Sequence, residues 1–370
     1  MIRLCSIQPV AERGGSDQAL LRMLRSLPAE FERHVVVPLE PPLRAEYEAA
    51  GASVHIVRMR RISTSHGFFE WCAYALGWPF AVARLRRLVS RLDVDVVHTN
   101  SLHSWYGWAA ARVARRPHVW HAREIVVQSG IALRVERWLT RRHAKVVVCG
   151  SRAIADQLDG ANTVVIYDTP DPDRFSPSRA GRFRATVGIS ATAPLVGAAG
   201  RLDTWKGIDV LLDAWPKVKQ AEPDAHLVIA GGPVQGKEKY AADLKERAAS
   251  LTDVHWLGEI DEVGVAELLA DLDVLAAPST EPEPFGLVAV EALMCATPVV
   301  GTDDGGLREI ADHASAGAVV LVPKRDADAL ASALVTAVGA PREVRPSVSF
   351  PPGDLAAVLR DAAQAGGTTK

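Results

Sequence analysis

Cysteine is scarce in this chain and scattered. The four present, Cys5, Cys72, Cys149 and Cys295, lie far apart with no C-x-x-C pair. That excludes a disulfide scaffold and a cysteine-based zinc site, and it suits a reducing cytosol. Long apolar runs are missing too. The nearest to a run of roughly 18 uncharged apolar residues, the length a membrane span needs, is FFEWCAYALGWPFAVA (68–83), which Glu70 and Pro79 interrupt. The amino-terminal MIRLCSIQPV has no signal-peptide core and reads as a first buried strand. No G-x-G-x-x-G follows that strand, so a dinucleotide-dependent oxidoreductase has no support at its usual place. These absences predict a soluble, cytoplasmic protein, still able to touch a membrane surface.

What is present is ordinary globular material. The chain has 370 residues, 48% hydrophobic and 23% charged, enough apolar surface to exclude disorder as the main state. At roughly 150 residues per domain it should hold two domains. Its net charge of −2 conceals an asymmetry: residues 1–165 carry 23 Lys/Arg against 14 Asp/Glu, and residues 166–370 carry 19 against 30. The basic half is almost all arginine, with Lys145 its one lysine. Arginine grips phosphate bidentately, so this half suits an anionic partner.

Short Val/Ile-rich runs alternate with amphipathic stretches. IRLCSI (2–7), HVVVP (34–38), SVHIV (53–57), DVVHT (95–99), HVW (118–120) and KVVVC (145–149) read as strands buried on both faces, as a parallel sheet covered by helices requires. Helical patterns such as 16–27 and 104–114 lie between them. A second series, at 195–200, 226–231, 254–258, 273–278, 297–302 and 318–322, alternates with helices near 207–221, 238–250, 262–271, 286–295 and 326–338. The predicted fold class is α/β, two Rossmann-like doubly wound domains facing a cleft. Their expected bounds are 1–166, a Pro/Asp/Ser-rich linker at 167–186, 187–341, and a Pro-broken tail with a last helix at 342–370 that can dock back on the first domain.

In open parallel sheets ligands bind beyond the carboxyl ends of strands, so the loops after strands carry the candidate chemistry. Gly14 and Gly15 follow the first strand. Their conformational freedom, at a helix start that Ser16 or Asp17 can cap, suits an anion. In GRLDTWKG (200–207), Arg201 and Lys206 flank a helix start and suit a diphosphate. In STEPEPFGLVAVEAL (279–293), Gly286 permits close approach. The amides of Phe285, Gly286 and Leu287 can face an anion, while Glu283 and Glu291 are spaced for separate hydroxyls of one ligand.

Other motifs are weaker. GGPVQGKE (231–238) matches the phosphate-cradling loop except that Glu238 stands where Ser or Thr should hold magnesium, so an ATPase is not expected. Asp93/Asp95 and Asp271/Asp273 read as turn residues where helices hand over to strands, and no metal ligands are expected. His98, His103, His118 and His121 crowd one region.

GRL…KG, EPFG with its second glutamate eight residues after the first, and GTDDGG (301–306) together resemble the retaining glycosyltransferases of the GT-B fold, family four. The glycine pair, DVVHTNS (95–101), VWHAREI (119–125), CGS (149–151) and YDTPDPDRF (167–175) extend the resemblance over most of the chain. It implies that Gly200, Arg201 and Lys206 bind the donor diphosphate and that Glu283 holds donor-sugar hydroxyls. Phe285–Leu287 would offer backbone to sugar or phosphate, Glu291 would bind the ribose, and Gly14 and Gly15 would lie near diphosphate and acceptor. His121 would sit near the reacting sugar, and backbone around Trp256–Glu259 would recognise the base.

The implied activity is transfer of a sugar, with retention and without a metal or other cofactor, from a nucleotide-diphosphate sugar (UDP- or GDP-linked). The acceptor would be a lipid-linked or cell-envelope glycan at the inner membrane face, with no nucleic-acid partner. Membrane contact is suggested by Arg58, Arg60, Arg61 and Arg84, Arg86, Arg87, Arg91 flanking Phe68, Phe69, Trp71, Tyr74, Trp78 and Phe80. The competing view of that segment is a core helix with a solvated basic face. The rival activities are a nucleotide-sugar epimerase and a non-enzymatic nucleotide-sugar-binding protein. Asp168-Thr169 stands where the family commonly has Asn-Gly, which should alter only the turn.

Overall fold

The computed structural model describes residues 1–12, 14–60, 67–127, 129–340 and 346–367. The chain forms two compact units. Met1–Asp168 with Pro351–Lys370 make the first and Thr169–Phe350 the second.

In the first unit the order is β1 (Ile2–Ile7), α1 (Gly15–Ser26), β2 (Phe31–Val37), α2 (Arg44–Ala49), β3 (Ala52–Ile56), α3 (Phe68–Arg91) and β4 (Val96–Thr99). There follow α4 (Tyr106–Ala114), β5 (His118–Ala122), α5 (Gly130–His143), β6 (Val146–Cys149), α6 (Arg152–Asp156) and β7 (Thr163–Val165). The strands pair in parallel in the order β3-β2-β1-β4-β5-β6-β7. Both faces of the sheet are covered, and β1 shows why its apolar residues do not simply alternate with polar ones. Leu4 packs with α1 and α2 residues such as Leu20, Leu24 and Tyr47. Cys5 and Ile7 point the other way, toward Leu85, Val89 and Tyr106 of α3 and α4. β7 is a short strand absent from the sequence reading.

The second unit contains α7 (Arg182–Val187), β8 (Leu195–Ala199), α8 (Ile208–Ala221), β9 (His226–Ala230), α9 (Glu238–Ala249), β10 (Val254–Gly258) and α10 (Glu262–Asp271). It continues with β11 (Val274–Ala277), α11 (Leu287–Met294), β12 (Val299–Thr302), α12 (Gly306–His313), β13 (Val319–Val322) and α13 (Ala327–Val338). Its parallel sheet runs β10-β9-β8-β11-β12-β13. The last helix, α14 (Leu355–Gly367), belongs to the first unit. There Leu359 and Ala362 are buried with Leu4, Val96 and Val119, each leucine-sized side chain contributing about 2 kcal/mol. In both sheets the winding reverses between neighbouring strands, β1/β4 and β8/β11, and such a reversal opens a crevice at the carboxyl ends.

Two sequence expectations need correction. The stretch 177–186, placed in the linker at 167–186, is built into the second unit. The buried Arg184 guanidinium donates to the carbonyls of Asp271, Ser190 and Ala193 and pairs with Asp273 at 2.7 Å. Its amide and that of Gly181 donate to the Asp271 carboxylate. In the tail, the described stretch 346–350 is likewise no simple separator, because Ser347 and Ser349 bond Ser315 and His313 of the second unit. Asp93 and Asp95 bind Arg3, with Arg116 also on Asp93. Both aspartate pairs therefore anchor arginines beside strand starts.

Candidate active site

β8 ends at the crevice of the second unit. Gly200 turns the chain at φ 140°, and a short helical turn, 204–206, follows, capped by the Asp203 carboxylate accepting from the Thr204 amide at 2.7 Å. Gly207 then takes φ 69° and lies so close to the loop after β11 that a Cβ would fall 1.9 Å from the Pro278 carbonyl oxygen. Thr280 laces the same two loops by donating its amide to Trp205 O at 2.7 Å. A third loop joins from β12. The Gly306 amide donates to Glu283 O at 2.7 Å, and a Cβ on Gly306 would meet Phe285 O at 2.4 Å. This gives a physical reason for the glycines of GTDDGG, for which the sequence offered none. Gly207→Ala should therefore displace the β11 loop, lowering the thermal midpoint together with donor affinity. An unchanged midpoint would contradict this packing.

The three loops bring together residues distant in sequence. Lys206 Nζ donates to both Glu283 carboxylate oxygens, at 3.0 and 2.9 Å, and Ser279 Oγ donates to Oε2 at 2.9 Å. Lys206 also lies 4.2 Å over the Trp205 ring. The pair is largely enclosed, with side-chain exposures of 21% and 10%. The pocket around it is lined by Gly200, Arg201, Lys206, Ser279, Glu283 and Gly286 together with apolar residues of β8 and β11. The sequence had treated Lys206 and Glu283 as separate contacts. In the structure they are one unit, and neither Ser279 nor the pairing was foreseen. A carboxylate has about four acceptor positions, so Glu283 keeps limited capacity for a ligand hydroxyl.

Gly286 caps α11 at φ 97°, and its carbonyl accepts from Ala289 at 2.9 Å. The helix-start amides are thus those of Leu287 and Val288, one residue later than the sequence placed them. The Phe285 ring is buried and packs 5.4 Å from Phe350. Glu291 is half-buried in the second turn of α11. A neighbouring hollow beside β9 and β10 is lined by Gly231, Gly232, Pro233, Lys245, Trp256, Gly258 and Glu259. Glu238 starts α9 and accepts from the Gly236 amide at 3.0 Å, so it serves its own loop.

In the first unit a polar network sits at the carboxyl ends of β1, β4 and β5. Asn100 Nδ2 donates to Gln8 Oε1 at 2.8 Å and to Ser16 O at 3.0 Å. Its Oδ1 accepts from Arg123 Nε at 2.7 Å, and Arg123 also pairs with Asp168. Asp168 is therefore an ion-pair partner as well as a turn residue. His121 is buried with its Nδ1 3.3 Å from His98 Nε2, and His98 Nδ1 lies 3.2 Å from Ser6 Oγ. Burial, then the Arg123 charge, then His98 hold the His121 pKa well below the usual imidazole range. His98 and His118 are pushed down by burial to about 3.

The glycine pair departs from expectation. Gly14 caps α1 with φ −85°, and neither Gly14 nor Gly15 is among the positive-φ glycines. Neither Ser16 nor Asp17 supplies a side-chain cap. Ser16 Oγ accepts from Gln8 at 3.0 Å, and burial raises Asp17 to about 6. What distinguishes Gly15 is open space, since a Cβ there would meet nothing within 4 Å, whereas one on Gly14 would touch the Asp17 and Glu12 carboxylates at 3.8 and 3.9 Å.

Comparison with known proteins agrees with this architecture. The Glycosyltransferase Family 4 model matches residues 13–174 and the Glycosyl transferases group 1 model matches residues 193–339. A phosphatidyl-myo-inositol mannosyltransferase of Mycobacterium leprae is 33% identical over 272 residues, 70% of this chain and 67% of that protein. The chain belongs to glycosyltransferase family 4. An alpha-maltose-1-phosphate synthase of Mycolicibacterium smegmatis shares 29% over 66% of this chain and 68% of its own. Among solved structures, Anabaena HepE in complex with UDP-glucose is 25% identical, with a TM-score of 0.76 over 92% of this chain and 90% of that one. The two doubly wound units of this family 4 glycosyltransferase are accordingly of the GT-B type. None of its described helices is long and apolar enough to cross a membrane.

Proposed function

We propose that this glycosyltransferase moves a sugar from a nucleotide-diphosphate sugar to a hydroxyl acceptor with retention of configuration. The observation that carries the reading is the convergence of Arg201, Lys206, Glu283 and the α11 start on one pocket. The likeness to HepE, solved with UDP-glucose, supports a UDP-sugar over a GDP-sugar as the first donor to test.

The leaving diphosphate gains negative charge as the glycosidic bond breaks. Arg201, Lys206 and the amides of Leu287 and Val288 stabilise it, in the place a metal ion would otherwise take. Glu283 holds Lys206 in position and lends its remaining acceptor capacity to a sugar hydroxyl. Glu291 binds the ribose, and the hollow at Trp256–Glu259 receives the base. The acceptor attacks on the face the diphosphate leaves, with the departing phosphate taking the hydroxyl proton.

The acceptor is a lipid-linked glycan met at an anionic membrane surface. Phe69, Leu76 and Phe80, spaced seven and four residues apart on α3, share one face and are 85%, 74% and 70% exposed. Arg84, Arg87 and Arg91 continue that face and are exposed. The opposite face of α3 buries Tyr74, Leu85, Leu88 and Val89, so the helix serves the core as well. Arg58 and Arg60 are also exposed, and Arg61 lies outside the described residues.

A thermal-shift panel of nucleotide sugars tests the donor. A ligand at 100 times its dissociation constant adds about 2.7 kcal/mol, and activity should survive EDTA. No shift with any nucleotide sugar would sink the reading. Co-sedimentation with anionic vesicles, weakening as salt rises, tests the surface. Equal behaviour with neutral vesicles at low salt would make a soluble acceptor the better choice.

A further inference from the structure

The histidine network of the first unit has a direction, and one residue decides it. His121 Nδ1 and His98 Nε2 face each other at 3.3 Å, and only one of the two nitrogens can carry the proton between them. Ser6 Oγ at the far end can donate or accept and therefore decides nothing. Arg123 removes the ambiguity. Its Nη2 stands 3.5 Å from the same His121 Nδ1, and a guanidinium has donors only. A proton on Nδ1 would point at a cation, whereas a lone pair there is favoured by it. Arg123 cannot swing away, because Asn100 Oδ1 accepts from its Nε at 2.7 Å and Asp168 pairs with its Nη1. That ion pair is itself enclosed, with side-chain exposures of 9% and 24%. Asn100 is held in turn by Gln8 and Ser16.

The proton order follows. Ser6 O–H donates to His98 Nδ1, His98 Nε2–H donates to His121 Nδ1, and His121 carries its proton on Nε2. That Nε2 is buried and has no hydrogen-bond partner among the described residues.

We infer that the Arg123–Asp168 pair, through His98, locks His121 as a neutral Nε2–H donor awaiting an oxygen acceptor, so that His121 hydrogen-bonds a substrate oxygen and takes no proton from the acceptor. The inference rests on the proposed glycosyl transfer. His98, Arg123 and Asp168 are then positioning residues, acting through the imidazole. The presence of Asp168 in place of the commoner asparagine is explained, because it neutralises an arginine that the network needs held still.

The test has a structural arm and a kinetic arm on the full chain. With 15N-labelled histidine and no donor present, long-range proton–nitrogen NMR should show His121 neutral, with Nε2 protonated and Nδ1 bare. The double variant Arg123→Met/Asp168→Asn removes both charges together and leaves neither buried alone. It should populate the other tautomer and lower kcat roughly 10–100-fold with a smaller change in donor KM. His98→Gln keeps a donor toward Nδ1 and should stay near wild-type kcat, whereas His98→Phe should not. Thermal midpoints confirm that each variant is folded.

A wild-type His121 protonated on Nδ1 would overturn the inference. So would equal kcat in His98→Gln and His98→Phe. If no nucleotide sugar supports transfer by the wild-type chain, the functional proposal fails, and the NMR arm still decides the tautomer. Should the double variant prove unfolded, Asp168→Asn alone must shift the tautomer population for the inference to stand.

Discussion

Lys206→Ala should cut turnover by on the order of 10²–10³, the effect of removing one preorganised donor from a developing anion. It should also destabilise the second unit. Glu283 accepts from Lys206 through both oxygens, and deletion leaves that enclosed carboxylate with the Ser279 hydroxyl as its described side-chain donor. A charge stripped of its partner costs more than the pair was worth. Arg201 is exposed at the pocket, so Arg201→Ala should lower turnover while leaving the thermal midpoint nearly unchanged. Combining Lys206→Ala with Glu283→Gln should recover stability but not turnover. Glu291→Ala, remote from bond breaking, should mainly raise the donor KM. Initial rates with the donor found by thermal shift, alongside melting curves, check each outcome. Near-wild-type turnover in both Lys206→Ala and Arg201→Ala would show that the diphosphate is held elsewhere.

Acid should destabilise the protein before most of its carboxylates titrate. His98 and His118 are held near 3 and His121 well below its usual value, all chiefly by burial. A histidine whose folded pKa is depressed takes its proton only on unfolding. Its contribution is complete above the unfolded value, about 6.5, and shrinks as pH falls toward the folded one. Each such histidine removes about 1.4 kcal/mol per pH unit in that window. Asp17 opposes this. Raised to about 6, it stabilises most in acid and loses that contribution as pH rises through its folded value. The depressed imidazoles of His98, His118 and His121 outweigh the raised carboxyls of Asp17 and Glu136, so stability falls as pH drops below about 6. Urea titrations at pH 7.5, 6 and 5 should show the midpoint falling steadily, and a flat profile would mean these imidazoles are hydrated.

Much of the fold is legible in the chain because a parallel sheet covered on both faces demands unbroken Val/Ile runs. HVVVP (34–38) carries such a run, and β2 ends on it at Val37. The three-residue β7 is too short to leave that signature. The stretch at 177–186 misled for a related reason. Pro170, Pro172 and Pro177 advertise a break, while the feature that builds the segment into the second unit is Arg184 reaching Asp271 and Asp273, 87 and 89 residues away.

The loops of the second unit were readable as a site because glycine and opposite charges fall directly after apolar strands. From the sequence alone came the α/β class, the two series of strands, and the candidate pocket residues Gly200, Arg201, Lys206, Glu283 and Gly286. Only tertiary structure decided that Lys206 and Glu283, 77 residues apart, act as one unit. It also decided that Gly305 and Gly306 press on that glutamate's loop, and that Ser6, His98, His121 and Arg123 meet in one chain of contacts. The physical reason is sheet order. β1 sits beside β4 and β8 beside β11, so the carboxyl ends that meet at each crevice belong to strands far apart in the chain, and side-chain partnership across them has no local pattern to reveal it.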